Sequence, residues 1–436
     1  MTQTENREFL PLILYQPEED TLLSRLLFLH GNPDLDQEEI RTVFLDCISS
    51  LITIGEEHGF SGNLWHCYLA YYLAYHENAY SRACEIRGAV GGGIEKSALW
   101  DYRIFMRLFA WDFSDLKERT GYDLYPMLLQ FTTSEGNKKT FNRRIRDRIT
   151  RLAPLLAEAE TPEQFLQEIT LFYREFGVGK FGLHKAFRIR HDQASVQCEI
   201  VPVTNIAHVR LEDLVGYETA KKKLTDNTEA FLAGRPANNC LLYGDAGTGK
   251  SSCIKGILNR YYDRGLRIIE VYRHQFRDLN DVIGQIKNRN YRFILYMDDL
   301  SFEDFETEYK YLKAVIEGGL EKKPDNILIY ATSNRRHLIR ENYSDKEEIR
   351  VDMHTSDTVQ EKLSLVYRFG VTIYFGSPDK KEFQEIVRVL AKRQGIAIPE
   401  ETLLLEANAW ELSHGGLSGR TAQQFVDYLA GRVPEA

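Results

Sequence analysis

The stretch "NNCLLYGDAGTGKSS", residues 238–252, sets an apolar run, 240–243, directly ahead of a glycine-rich loop. From Gly244 onward it fits G-x-x-x-x-G-K-[ST] through Gly249, Lys250 and Ser251. Glycines let such a loop wrap so that its backbone N–H groups face phosphates, and a helix starting there adds the positive end of its dipole. The following "SSCIKGILNRYY" is compatible with that helix. Gly244, Asp245, Ala246, Gly247, Thr248, Gly249, Lys250, Ser251 and Ser252 are therefore expected to cradle nucleotide phosphates. Lys250 would reach the β- and γ-phosphates and the Ser251 hydroxyl would ligate Mg2+, so ATP and Mg2+ are the expected cofactors.

Around this loop the second half of the chain reads as strand-then-helix units, the pattern of a parallel sheet covered by helices on both faces. Five apolar runs serve as strands, at 240–243, 268–272, 293–297, 327–331 and 371–375. Most of them end in polar or glycine residues, as expected where ligands bind outside the carboxyl ends of strands. In "RFILYMDDLSFEDFETEY" (292–309), Asp298 stands where a second phosphate-site motif holds Mg2+, and Asp299 where the attacking water is activated. Aspartate is one methylene shorter than glutamate, so its reach to a water is poorer and slow turnover is expected. Glu303 is the alternative base if the chain curls back. In "ILIYATSNRRHL" (327–338), Thr332, Ser333 and Asn334 end a strand with polar groups that would orient the water or sense the γ-phosphate.

Residues 1 to about 190 read as mostly helical, with apolar residues recurring at three- and four-residue steps. In "LWHCYLAYYLAYHENAY", Trp65, Leu69, Tyr72 and His76 form one stripe and Tyr68, Tyr71 and Tyr75 the next, which marks an aromatic-rich core helix. "GAVGGGIEKS" (88–97) reads as a connection between helices. "NKKTFNRRIRDRITR" (137–151) puts Arg144, Arg148 and Arg151 on one helix face, either a solvated surface or a docking strip for phosphates or an acidic partner. From about residue 177 the pattern turns to a short β-rich connector. The expected domains are thus a helical 1–195, an α/β 196–380 and a small helical 381–436.

Composition sets outer limits: 436 residues with 43% apolar content can bury at least two cores. A net charge of −9 argues against a whole-surface polyanion clamp. The six cysteines show no C-x-x-C pair and read as reduced thiols. Neither an export signal nor an 18-residue apolar run is evident, so no membrane partner is expected and the cytoplasm is the expected location.

Residues from about 208 to 430 resemble an AAA+ ATPase. That resemblance implies a five-stranded parallel α/β domain with a C-terminal helical lid. It also implies ATP or ADP as ligand and assembly into a homo-oligomer. "LEDLVGYETAK" (211–221) resembles the segment that cradles adenine, here Val215, Gly216 and Tyr217. Asn334 matches the family's first sensor, and Arg368 in "EKLSLVYRFG" (361–370) its arginine finger, which reaches a neighbouring subunit. Arg420 in "GGLSGRTAQQF" (415–425) matches the second sensor, a γ-phosphate contact within the same subunit. More narrowly, "DDLSFE", "NILIYATSNRRHL" and "SGRTAQQFVDYL" resemble a bacterial AAA+ family known as a domain of unknown function. The double aspartate also resembles replication initiators and helicase loaders. Protein-threading relatives carry an aromatic-hydrophobic-glycine loop, which "VYRHQFRDLNDVIG" (271–284) lacks. Three readings follow: a nucleotide-driven remodeller or assembly switch, a nucleic-acid-associated loader-like ATPase, and a nucleotide-binding scaffold with negligible hydrolysis. The protein or nucleic-acid client is not written in the sequence.

Overall fold

Helix-forming periodicity in the first half and alternating strands and helices in the second build two units, Met1–His184 and Lys185–Ala436. The computed structural model describes residues 11–32, 34–133, 142–191, 198–301, 308–317, 324–334 and 367–432. Among the described residues, no helix is long and apolar enough to cross a membrane. All six cysteines are buried and free of disulfides.

The first unit is helical, and its aromatic-rich segment behaves as core. Helix Leu64–Tyr75 buries Leu64, Trp65, Cys67, Tyr68, Leu69, Leu73 and both alanines, so nearly its whole circumference is packed. Its one indole N–H is matched rather than orphaned, donating to the Leu108 carbonyl at 2.7 Å. Helices Ala79–Arg87 and Gly93–Phe109 are joined across the glycine-rich stretch. Helix Arg143–Ala157 faces the core with Ile145, Ile149, Leu152 and Leu156. Arg144 and Arg151 are left exposed, while Arg148 lies over the Phe176 ring at 4.2 Å. Lys138 and Lys139 lie outside the described residues.

In the second unit the strands are β1 (Ala186–Arg190), β2 (Glu199–Pro202), β3 (Cys240–Gly244), β4 (Leu266–Glu270), β5 (Arg292–Met297), β6 (Ile327–Ser333) and β7 (Val371–Phe375). They form one sheet in the order β2-β1-β4-β5-β6-β3-β7. All neighbours are parallel except β1 and β2. The five expected strands are present, but the sheet has seven. The added pair comes from the stretch read as a connector. In β1, buried Phe187 and Ile189 alternate with exposed arginines, as in a strand covered on one face only, and its partner β4 lies far along the chain. The unit boundary accordingly falls after His184, ahead of the 195/196 division expected from sequence. Three helices, Lys380–Arg393, Glu400–Ser413 and Gly419–Ala430, pack around Phe383, Val387, Ala407, Phe425 and Val426.

One buried carboxylate organises the start of the described chain. Asp101, fully buried, accepts from the N–H groups of Ile13 (2.8 Å), Leu14 (2.7 Å) and Tyr15 (3.0 Å). Replacing it with asparagine keeps the shape but turns one end of the acceptor into a donor facing backbone donors. Hydrogen bonds to charged groups are worth about 1.5–3 kcal/mol, so Asp101→Asn should destabilise the first unit by about 2–3 kcal/mol. Urea unfolding followed by tryptophan fluorescence reads this, since Trp65, Trp100 and Trp111 all lie in that unit. An unchanged midpoint and slope would remove Asp101 from this role.

Candidate functional site

Strands β3, β5 and β6 are neighbours, and their carboxyl ends open on one cleft of about 760 Å³. The loop after β3 runs through residues 245–249 into helix Lys250–Tyr261. Gly244 turns the chain there: it sits at φ 133°, and a Cβ would lie 2.0 Å from the Phe375 carbonyl of β7. At Gly247, φ is 76° and a Cβ would meet Arg420 and Ser418 at 3.0 Å. The loop can approach its neighbours this closely only because side chains are missing.

Ala246 through Ser252 line the cleft together with Asp298, Asp299, Thr332, Asn334 and Arg420. Lys250 is buried, and its ammonium donates to the carbonyls of Gly244 (2.9 Å) and Asp245 (2.6 Å). Burial pulls its pKa below the usual lysine range, opposed by the charges of Asp245, Asp299 and Asp298. The Asp245 carboxylate does not face the phosphate space. It accepts from the Ser377 N–H and hydroxyl, both at 2.8 Å, and these bonds hold it below the usual carboxylate range.

The two aspartates at the end of β5 have different surroundings. Asp298 Oδ1 receives three hydroxyls: Thr332 at 2.5 Å, Tyr296 at 2.7 Å and Ser251 at 2.8 Å. Burial works to raise the Asp298 carboxyl, but these hydrogen bonds outweigh it and hold the group below its ordinary value. Asp299 takes the left-handed backbone region at φ 48°, unusual for a non-glycine residue. Its N–H donates to Thr332 Oγ1 (3.0 Å), and its Oδ1 accepts from Asn334 Nδ2 (2.7 Å). Glu303 lies outside the described residues.

At the other end of the cleft, Val215 and Tyr217 line a more apolar wall with Ile386 and Leu390. Gly216 between them has φ 81° and Tyr217 φ 59°, so the backbone doubles back there. The Tyr217 hydroxyl donates to the Gly376 carbonyl at 2.9 Å, fixing this wall to the segment after β7. Helix Gly419–Ala430 approaches the loop directly, with the Arg420 N–H donating to the Gly247 carbonyl at 3.1 Å. Arg368 is half-buried just ahead of β7 and is not among the cleft-lining residues.

The residues present fit a nucleotide and a hard cation. The glycine cradle has no room for side chains, and Ser251 Oγ and Asp298 supply the oxygen donors such a cation prefers. Sequence reading missed Tyr296, Ser377 and His208, which lines the cleft beside Val209. Tyr296 was legible in principle. It stands two residues before Asp298, the spacing at which side chains of an extended chain return to one face.

Comparison with known proteins adds four findings. The replication factor C large subunit of Staphylothermus marinus is 36% identical over 74 residues, 17% of this chain and 17% of that protein. The Thermotoga maritima RuvB Holliday junction branch migration motor matches with a TM-score of 0.34 and 16% identity, over 50% of this chain and 63% of that one. A variant of the same motor gives a TM-score of 0.36 at 17% identity with the same coverage. This chain thus spans less than two thirds of each of these proteins. Residues 183–433, more than half of the chain, match the family described as "Protein of unknown function (DUF815)", and the chain belongs to that family.

Proposed function

We propose that the second unit binds ATP with Mg2+ and hydrolyses it slowly, as a nucleotide-driven remodeller or assembly switch. The observation that carries this is the convergence of Lys250, Asp298, Asp299, Asn334 and Arg420, from separate segments of the chain, on one cleft. On this reading the 244–252 backbone cradles the phosphates and Lys250 turns from its own loop carbonyls to the β- and γ-phosphates. Val215, Gly216 and Tyr217 flank the adenine. Ser251 and Asp298 hold the Mg2+, which when bound neutralises phosphate charge.

Asp299 accepts the proton of the water that attacks the γ-phosphorus, as the bond to the bridging oxygen breaks and ADP and phosphate leave. Asn334 holds Asp299 through its Oδ1, so the base must share that oxygen while serving the water. A short carboxylate that is also hydrogen-bonded supports slow turnover. Arg420 contacts the γ-phosphate within the subunit, and Arg368, which does not line its own cleft, serves a neighbour's site in a homo-oligomer.

A nucleic-acid-associated role is the second reading, favoured by exposed Arg143, Arg144 and Arg151 on helix Arg143–Ala157 and by the similarity to a replication factor. Filter binding of DNA across a salt series separates it, because real phosphate contacts give a steep salt slope.

Asp299→Asn should retain ATP affinity and lose at least about a hundredfold in turnover, the scale of general-base catalysis. If Glu303→Gln produces that loss and Asp299→Asn does not, the base is Glu303. For the arginine, turnover per subunit should rise with protein concentration, and Arg368→Ala should abolish the rise, since arginine fingers are worth about 10³–10⁵ in rate. Concentration-independent turnover, with Arg368→Ala fully active, would contradict a role in trans.

A further inference from the structure

We propose that Tyr296 is a positioning residue for the divalent cation: its hydroxyl, with that of Thr332, fixes the carboxylate of Asp298 in the orientation that receives the metal. The inference rests on the reading of this cleft as a Mg·nucleotide site.

The placement of a tyrosine here needs a reason. Strand β5 is otherwise apolar from Phe293 to Met297 and buried throughout that span, and Tyr296 itself is only 5% exposed. Phenylalanine would pack as well and bury no hydroxyl, and an unmatched buried hydroxyl carries a substantial penalty. The Tyr296 hydroxyl donates to Asp298 Oδ1 at 2.7 Å, in the turn just past the end of the strand.

The three donors to Oδ1 come from three different elements. Ser251 opens the helix after the glycine-rich loop, Tyr296 lies in β5 and Thr332 lies in β6. A carboxylate rotates about its terminal bond with little intrinsic preference. Donors anchored on separate, rigid elements remove that freedom before the cation arrives. Ser251 is itself read as a cation ligand, so its hydroxyl is engaged by the metal. Tyr296 and Thr332 are the donors not themselves read as cation ligands, and Thr332 also accepts from the Asp299 N–H. Outer-shell partners of this kind typically change metal affinity by about 10–100-fold when removed.

The test uses the full chain, stripped of metal with EDTA, and a fluorescent N-methylanthraniloyl ADP, which cannot be hydrolysed at the γ-position. Mg2+ is titrated in, and the concentration giving half of its effect on nucleotide affinity is read for wild type, Tyr296→Phe and Thr332→Val. Tyr296→Phe should move that midpoint up by about tenfold or more, with Thr332→Val moving it the same way. A general loss of packing would weaken ADP binding in EDTA as well, so a shift confined to the Mg2+ titration isolates positioning. If Tyr296→Phe fails to bind ADP even in EDTA, Thr332→Val decides by the same criterion. Midpoints within about twofold of wild type overturn the proposal, because outer-shell effects of the expected size would be absent. A wild-type protein whose ADP affinity ignores Mg2+ would instead remove the Mg·nucleotide reading itself, and this inference with it.

Discussion

Strand β6 lies between β5 and β3, and the cleft depends on that insertion. The register sets Met297 beside Ala331 and Leu242 beside Thr332, so the three strands end at nearly one level. Thr332 is thereby carried to Asp298, while the loop after β3 swings Ser251 to the same carboxylate from the other side. No local segment could make this cluster alone. Parallel strands need crossover connections of a dozen residues or more, so groups that meet at one oxygen are widely separated in the chain.

The cost of the arrangement is concentrated in a few backbone positions. Asp299 holds a left-handed conformation that costs of order 1–3 kcal/mol for a residue bearing a side chain. Its N–H bond to Thr332 and its side-chain bond from Asn334 keep it there. The same two partners turn the second aspartate away from the crowded oxygen that receives the hydroxyls, so adjacent identical residues acquire separate surroundings. Gly244 and Gly247 carry the other demands, both set by close approach of backbone or side chain from neighbouring elements.

Much of this was legible from sequence because it is encoded locally. The glycine-rich loop fixes its own conformation by residue type, and the apolar runs predict β3 to β6 because buried parallel strands are apolar throughout, while β7, at the sheet edge, buries only alternate residues. Asp298, Asp299 and Asn334 followed from the rule that strand ends line the site. The first two strands were harder: β1 pairs with β4 far along the chain and β2 with β1, and such pairing leaves no mark beyond a short alternation. Tyr296 was hidden for a different reason. Inside an apolar run an aromatic ring reads as packing, and only its hydroxyl's partner reveals a second duty. Asp245 reads as part of a phosphate cradle, yet its carboxylate is committed to Ser377, a contact between segments far apart in the chain.

The central claim is that this cleft is a Mg·ATP site built around Lys250. Isothermal titration of ATP, with Mg2+, into wild type and into Lys250→Ala tests it most directly. Lys250 supplies the buried ammonium beside the loop carbonyls, so its truncation should abolish measurable binding while leaving the thermal unfolding of the nucleotide-free protein close to wild type. Saturable binding by wild type that disappears in the variant is the predicted result, and near-normal ATP affinity in Lys250→Ala would contradict the account.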